Sequence, residues 1–123
     1  MFIRFVIAKT DEHSFRPKGL FAAMEILVEQ NQLYEYEIGH KDALYNWFRK
    51  NLRAPRVQSA HTKPLAISWF KDSASKHIAK MRQYGQILEA HDIHVQQIIT
   101  ERLGKIVYED KFQIAAIPFS DTF

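Results

Sequence analysis

The chain has 123 residues, 46% of them hydrophobic and 25% charged, and a formal net charge of +3, which together predict one globular domain over residues 1–123. The absence of cysteine excludes disulfides, thiolate zinc sites and cysteine nucleophiles. No run of about 20 apolar residues is present to span a bilayer, and the first residues do not resemble a signal peptide, so we expect a cytoplasmic protein.

The first strand is predicted over residues 1–8, which are apolar on both faces, as in a central strand with two covered sides. Arg4 interrupts this pattern. Because an unpaired buried guanidinium is costly, we expect Arg4 to meet a carboxylate or backbone carbonyls. A polar loop follows over residues 10–18. The first helix then begins near Pro17 and ends near Asn31, with an apolar stripe of Leu20, Phe21, Met24, Leu27 and Val28.

A second helix is predicted before Pro55, although its first residue is ambiguous. Residues 34–39 are compatible with either a linker or the start of a helix. After them, helical spacing is clear in a set that consists of His40, Leu44, Trp47, Phe48 and Leu52. Residues 54–63 have little periodicity, so we interpret them as an exposed loop.

The segment 63–90 has the strongest pattern in the chain and predicts a buried strand followed by a long helix. The apolar run 65–70 comes directly after Pro64 and is interpreted as the strand. Asp72 is predicted to cap the helix through its side-chain oxygen. The helix carries one apolar stripe, formed by Ala74, Ile78, Met81, Gly85 and Leu88. Gly85 on this stripe is expected to let the helix approach the sheet closely.

Three further strands are predicted in the last quarter of the chain. Residues 93–97 alternate as in a half-exposed strand, and residues 105–108 and 112–117 form a hairpin. A turn centred on Asp110 and Lys111 would place Tyr108 opposite Gln113, whereas a longer loop would shift that pairing. The predicted order is β-α-α-β-α-β-β-β, an α+β two-layer sandwich with three helices on a mixed or antiparallel sheet of about five strands.

The first functional hypothesis is a non-enzymatic binding or accessory protein that recognises a protein or a small polar ligand. Charged and aromatic residues converge at predicted strand ends, where such a ligand can be bound. The candidate ligand-binding residues are Arg4, Trp69, Lys71, Tyr108 and Glu109. Open sheet edges also predict a homodimer.

Two alternatives come from other classes of function. A nucleic-acid-binding protein would use the basic stretch at Arg49, Lys50, Arg53, Arg56 and Lys63. A small metal-independent enzyme would use Glu109 or Asp110 as a base, with Tyr108 and Arg4 as electrostatic partners. No histidine spacing matches a known metal-ligand pattern, so neither a metal nor a cofactor is expected.

Three segments are similar to those of a small bacterial family of hypothetical proteins about 120 residues long. They are the opening at residues 1–6, the Ile-Ser-Trp-Phe-Lys-Asp run at 67–72, and the run Gly-Lys-Ile-Val-Tyr-Glu-Asp at 104–110, which Phe112 and Gln113 follow. The resemblance implies a bacterial, stand-alone protein. Because no activity is established for that family, it implies no catalytic residue.

Overall fold

The computed structural model describes residues 1–10, 17–54 and 66–119. These residues form three helices and an antiparallel sheet, with the turns that connect them. The elements in chain order are β1 (Phe2–Thr10), β2 (Pro17–Gly19), α1 (Leu20–Glu29), α2 (Glu35–Asn51), β3 (Ile67–Lys71), α3 (Ser75–Glu89), β4 (Val95–Thr100), β5 (Lys105–Glu109) and β6 (Gln113–Ile117). The predicted α+β class and element order are confirmed, with the three-residue β2 as an addition. None of the described helices is long and apolar enough to cross a membrane.

Strand β1 lies inside the sheet and has neighbours on both edges. Phe2 is paired with residues of both β3 and β4, and Val6 is paired with residues of both β2 and β4. It follows that β4 runs along one edge of β1, while β3 and the short β2 share the other. The five main strands therefore have the order β4-β1-β3-β6-β5, and every pair is antiparallel.

The helices pack on one face of this sheet and create the larger hydrophobic core. Alternate residues of β1 point into that core, which also contains the apolar stripes of all three helices. The residues between them point to the opposite face, where a second buried cluster lies. Its members are Ile67, Trp69, Leu103, Ile114 and Ala116, with Phe2 and Ile98 packed against them. One face of β3 and β6 is therefore directed toward the helices, and the other face forms the second buried cluster.

The start of α2 resolves the segment that was ambiguous in the sequence. Tyr34 is the N-cap residue, and its backbone N–H donates to the Glu37 carboxylate at 2.8 Å. Glu37 is buried, although it lies in the first turn of an otherwise exposed helix start. Residues 35–39 are thus the first turn of the helix.

The predicted cap of α3 is wrong. The helix begins at Ser75 after Ala74, and no side chain caps it. A turn closed by the Ala74 N–H and the Lys71 carbonyl, 2.9 Å apart, holds Asp72 three residues ahead of the first residue of the helix. The Asp72 carboxylate instead lies 3.4 Å from the terminal ammonium of Met1.

The hairpin of β5 and β6 forms as predicted, but its register differs from the one that a turn centred on Asp110 and Lys111 would give. Tyr108 lies opposite Ala115 rather than Gln113, and a bulge interrupts the ladder between Ile106 and Tyr108. The Asp110 N–H donates to the Gln113 carbonyl at 3.0 Å, so the turn is centred one residue later. Side-chain bonds of Asp110 to the turn backbone favour this position.

Candidate functional site: a basic groove beside the hairpin turn

A groove of about 520 Å³ separates the C-terminal end of α2 from the turn between β5 and β6. We call it the hairpin groove. Its lining consists of Arg49, Lys50, Asn51, Leu52, Arg53, Ala54, Tyr108, Asp110, Lys111 and Phe112. Residues about 60 positions apart in the chain therefore meet at one site.

The charge of the hairpin groove is strongly positive. Among the described residues of the lining, Arg49, Lys50, Arg53 and Lys111 contribute four cationic groups, and Asp110 is the one carboxylate. The four bases are exposed, and none of them forms an ion pair with a carboxylate of the described residues. A negatively charged group entering the groove would meet these cations without displacing a protein carboxylate from them.

Hydrogen bonds within the hairpin already occupy the Asp110 carboxylate. One of its oxygens accepts the backbone N–H groups of Phe112 and Gln113 at 2.9 and 3.0 Å. The other accepts the Tyr108 hydroxyl at 2.7 Å and the Gln113 amide at 3.1 Å. Burial alone would raise the pKa of Asp110, but these bonds outweigh it and hold the pKa below its ordinary value. Asp110 therefore shapes the turn and is poorly placed to accept a proton from a ligand.

Buried polar side chains hold the two walls of the groove together. The Gln113 amide donates to the Arg53 carbonyl, and His77 Nε2 on α3 donates to the Asn51 carbonyl at 2.8 Å. The His77 ring also packs against Phe112 and Trp47, at centroid distances of 4.3 and 4.8 Å. These contacts position the end of α2 against the hairpin.

Neither His77 nor Gln113 was predicted from the sequence to be part of a site. His77 lies beside Ile78 and three residues after Ala74, so its position on the buried stripe of α3 was a readable signal. Gln113 gave no such signal, since its partner, the Arg53 carbonyl, lies 60 residues away.

The five predicted ligand-binding residues lie on two faces of the sheet. Lys71 on β3 and Glu109 on β5 form an ion pair of 2.7 Å on the face opposite the helices, across the end of β6, which lies between the two strands. Trp69 belongs to the buried cluster of that face and is 7% exposed. Arg4 is half-buried on the same face, but β3 and β6 separate its strand from β5. Tyr108 points to the helix side and lines the hairpin groove.

The residues of the predicted nucleic-acid site fall into two groups. Arg49, Lys50 and Arg53 line the hairpin groove. Arg56 and Lys63 lie outside the described residues. The aromatic residues of α2 do not line the groove: Trp47 is half-buried against His77, with the Lys80 ammonium 5.7 Å from its ring centroid, and Phe48 is in the core.

No group of three histidine, aspartate or glutamate residues is arranged to hold a metal ion in the part of the chain that the structure describes. His91, which is close to Asp92 and His94 in the sequence, instead contacts both oxygens of Glu37, at 2.8 and 3.0 Å. This pair ties the end of α3 to the start of α2.

The fold and the groove together define an α+β protein with three helices on one face of an antiparallel sheet and a basic groove at the end of that layer. Comparisons with protein-family models, with curated proteins and with solved structures found no match to this chain. The resemblance to a bacterial family therefore stays a prediction.

Proposed function

We propose that this protein is a non-enzymatic binding protein whose hairpin groove holds a small anionic ligand. The observation that carries the proposal is the imbalance of charge in the groove, whose described lining contains four cations and a single carboxylate that is already hydrogen-bonded. The volume of about 520 Å³ is within the range of small-molecule sites, roughly 300–1,000 Å³. Phosphate or carboxylate groups are the chemistry that such cations recognise.

The helix dipole explains only part of this basic character. Arg49 and Lys50 lie in the last turn of α2, where cations interact favourably with the negative end of the dipole. Arg53 follows the end of the helix, and Lys111 is on the hairpin. Because cations from two separate elements converge on one groove, a ligand-binding role accounts for more of the arrangement than stabilisation of the helix does.

Binding is tested by calorimetry with tripolyphosphate as a phosphate probe and citrate as a carboxylate probe. We expect Lys50→Glu to weaken binding of the preferred probe by roughly tenfold, since one favourable charge becomes repulsive. Lys105→Glu is the matched control, because it makes the same charge change on an exposed lysine at the far end of β5. Equal losses in the two variants, or no binding of either probe to the unmodified protein, would contradict the proposal.

Nucleic acid is the second candidate ligand. It is favoured by the presence of Arg49, Lys50 and Arg53 in one groove beside the Phe112 and Tyr108 rings, since single strands bind through phosphate contacts and stacking. Titration with a fluorescent oligothymidylate at about 50 and 200 mM salt separates the two candidates. Binding that is tighter than that of tripolyphosphate and falls steeply with salt would favour the nucleic acid.

A catalytic role for Tyr108, Glu109, Asp110 and Arg4 is not part of this proposal. Glu109 is paired with Lys71, and Asp110 is held by the turn. Arg4 is three strand spacings from β5, about 14 Å across the sheet. The surface at Lys71 and Glu109 stays a candidate contact for a protein partner, whereas Trp69 is buried beneath it.

We also propose, from the sequence, a bacterial cytoplasmic protein that forms a homodimer. The support for self-association is that β4 and β5 are the outer strands of the sheet within the described residues. An outer strand leaves backbone N–H and C=O groups available to another chain.

A further inference from the structure

The two outer strands of the described sheet differ in how well they are protected against pairing with another chain. Strand β5 has a charged residue at each end, Lys105 and Glu109, and a bulge in its ladder with β6. Charges and bulges are the features that prevent edge-to-edge association. Strand β4 reads Val-Gln-Gln-Ile-Ile-Thr, contains no charge and no proline, and pairs with β1 through six consecutive residues without a bulge. It is therefore the edge that is open to strand addition.

The side chains of β4 are also suited to a covered position. Ile99 is 50% exposed, so about half of its apolar side chain is available to be covered by an added strand. Ile99 and Val95 lie opposite Ile3 and Ile7 of β1, so they share the helix-side face of the sheet. A strand added at this edge would bury part of both side chains.

We propose that β4 pairs in antiparallel orientation with β4 of a second copy of this chain, with Gln97 at the two-fold axis. The inference rests on the proposed homodimer and is independent of the ligand of the hairpin groove. In an antiparallel pair, residues that lie opposite each other point to the same face of the sheet. A two-fold axis perpendicular to the sheet meets this condition only when one residue lies opposite its own copy, so the register must be centred on a residue. A centre at Gln97 places Val95 of each copy opposite Ile99 of the other, and the two five-stranded sheets become one.

The charges that flank β4 favour this register over the one centred at Ile98. With Gln97 at the centre, Asp92, three residues before β4, is directed toward Arg102 of the other copy, two residues after β4, which brings opposite charges together at both ends of the interface. The Arg102 guanidinium lies over the Phe119 ring of its own chain, 4.4 Å from the centroid. A centre at Ile98 would instead place His94 opposite Arg102 and Val95 opposite Glu101. The first arrangement is electrostatically complementary, and the second is not.

The test measures the mass of the full chain in solution by sedimentation velocity over a range of concentrations. We expect a dimer for the unmodified protein, a monomer for Ile99→Lys and a dimer for Ile106→Lys. The two variants are matched, because Ile106 is also 50% exposed and lies on the other outer strand. Circular dichroism of each variant establishes that the fold is retained.

The results that contradict the proposal distinguish failure of the homodimer from failure of pairing through β4. A monomeric unmodified protein overturns both the homodimer and the proposed pairing. A dimer that persists in Ile99→Lys, or that dissociates only in Ile106→Lys, overturns pairing through β4 and leaves the homodimer standing. Neither result bears on binding in the hairpin groove.

A second pair of variants tests the register and stays informative even if Ile99→Lys unfolds. Arg102→Glu should weaken the dimer roughly fivefold, since it creates a repulsion with Asp92 of the other copy. Adding Asp92→Asn should restore part of that affinity, and asparagine suits the φ of 62° at this position. A dimer constant that is unchanged by Arg102→Glu, or not improved by the second substitution, overturns the register.

Discussion

Gly104 is the position where the backbone geometry demands a particular residue. Its φ is +107°, and a Cβ atom built there would overlap the Ile117 carbonyl oxygen. We predict that Gly104→Ala lowers the free energy of unfolding by about 3 kcal/mol, because strain in φ adds to displacement of β6. Urea unfolding followed by circular dichroism measures this loss.

Gly39→Ala provides the control for this prediction. A Cβ at Gly39 would have no atom within 4 Å, and the residue lies inside α2. Since alanine favours a helix interior over glycine, the same substitution should here raise the free energy of unfolding by about 0.5–1 kcal/mol. A similar loss at both positions would show that the effect of Gly104→Ala does not come from its geometry.

Gly85 lies on the buried stripe of α3 as predicted, but the helix is not unusually close to the sheet there. The sequence placed this glycine on the buried stripe of α3 and suggested a close approach to the sheet. Helix α3 does meet β4 there, but a Cβ would lie 3.4 Å from Val95 and Leu20 side-chain carbons, which is ordinary contact. The separation of helix and sheet therefore depends on neighbouring side chains, which the stripe alone does not specify.

At the scale of elements, the Glu37–His91 contact links the start of α2 to the end of α3. Burial by itself would raise the pKa of Glu37, but hydrogen bonds from the Tyr34 N–H and His91, with the charge on His91, lower it below its ordinary value of 4.5. A carboxylate with a lowered pKa in the folded state stabilises the fold above pH 4.5. That contribution is lost as the pH falls through the pKa of the folded state.

We predict that Glu37→Gln lowers the free energy of unfolding by about 1 kcal/mol near neutral pH, because it removes the charged hydrogen-bond acceptor of His91. The variant should also lose less stability than the unmodified protein as the pH is lowered below 4.5. Glu35→Gln is the control, since Glu35 is an exposed glutamate in the same helical turn. Unfolding curves recorded at several pH values decide the matter, and parallel pH profiles for all three proteins would contradict the prediction.

The hairpin illustrates what local patterns predict within a single element. Alternation and turn residues predicted both strands. The same alternation places Tyr108 and Glu109 on opposite faces of the sheet, since adjacent residues of a strand point to opposite faces. The register depended on hydrogen bonds of Asp110 with Phe112 and Gln113. The alternative turn positions differ only slightly in free energy, so composition alone could not predict which register forms.

At the scale of the whole molecule, the hairpin groove and the proposed dimer strand lie at opposite edges of the sheet. Strand β4 is one outer strand, whereas the groove adjoins the turn of β5 and β6 at the other edge. We therefore predict that Ile99→Lys changes the affinity for the anionic probe by less than about twofold, and that Lys50→Glu leaves the dimer constant similarly unchanged. Calorimetry and sedimentation on both variants measure these effects, and a large effect of either variant on the other property would reveal coupling between the edges.

The sequence alone determined the class of fold, the order of its elements and the side of each helix that is buried. Spacing of 3.6 residues in a helix and of two in a strand is a local property, so it can be recognised without knowing what the element packs against. Only the tertiary structure decided which strands are neighbours and which residues share a face or a groove. The meeting of Arg53 with Gln113, and the separation of Arg4 from Glu109 by two strands, arise from contacts between distant parts of the chain. Because such contacts depend on how all the elements pack at once, no short segment of the sequence contains the information.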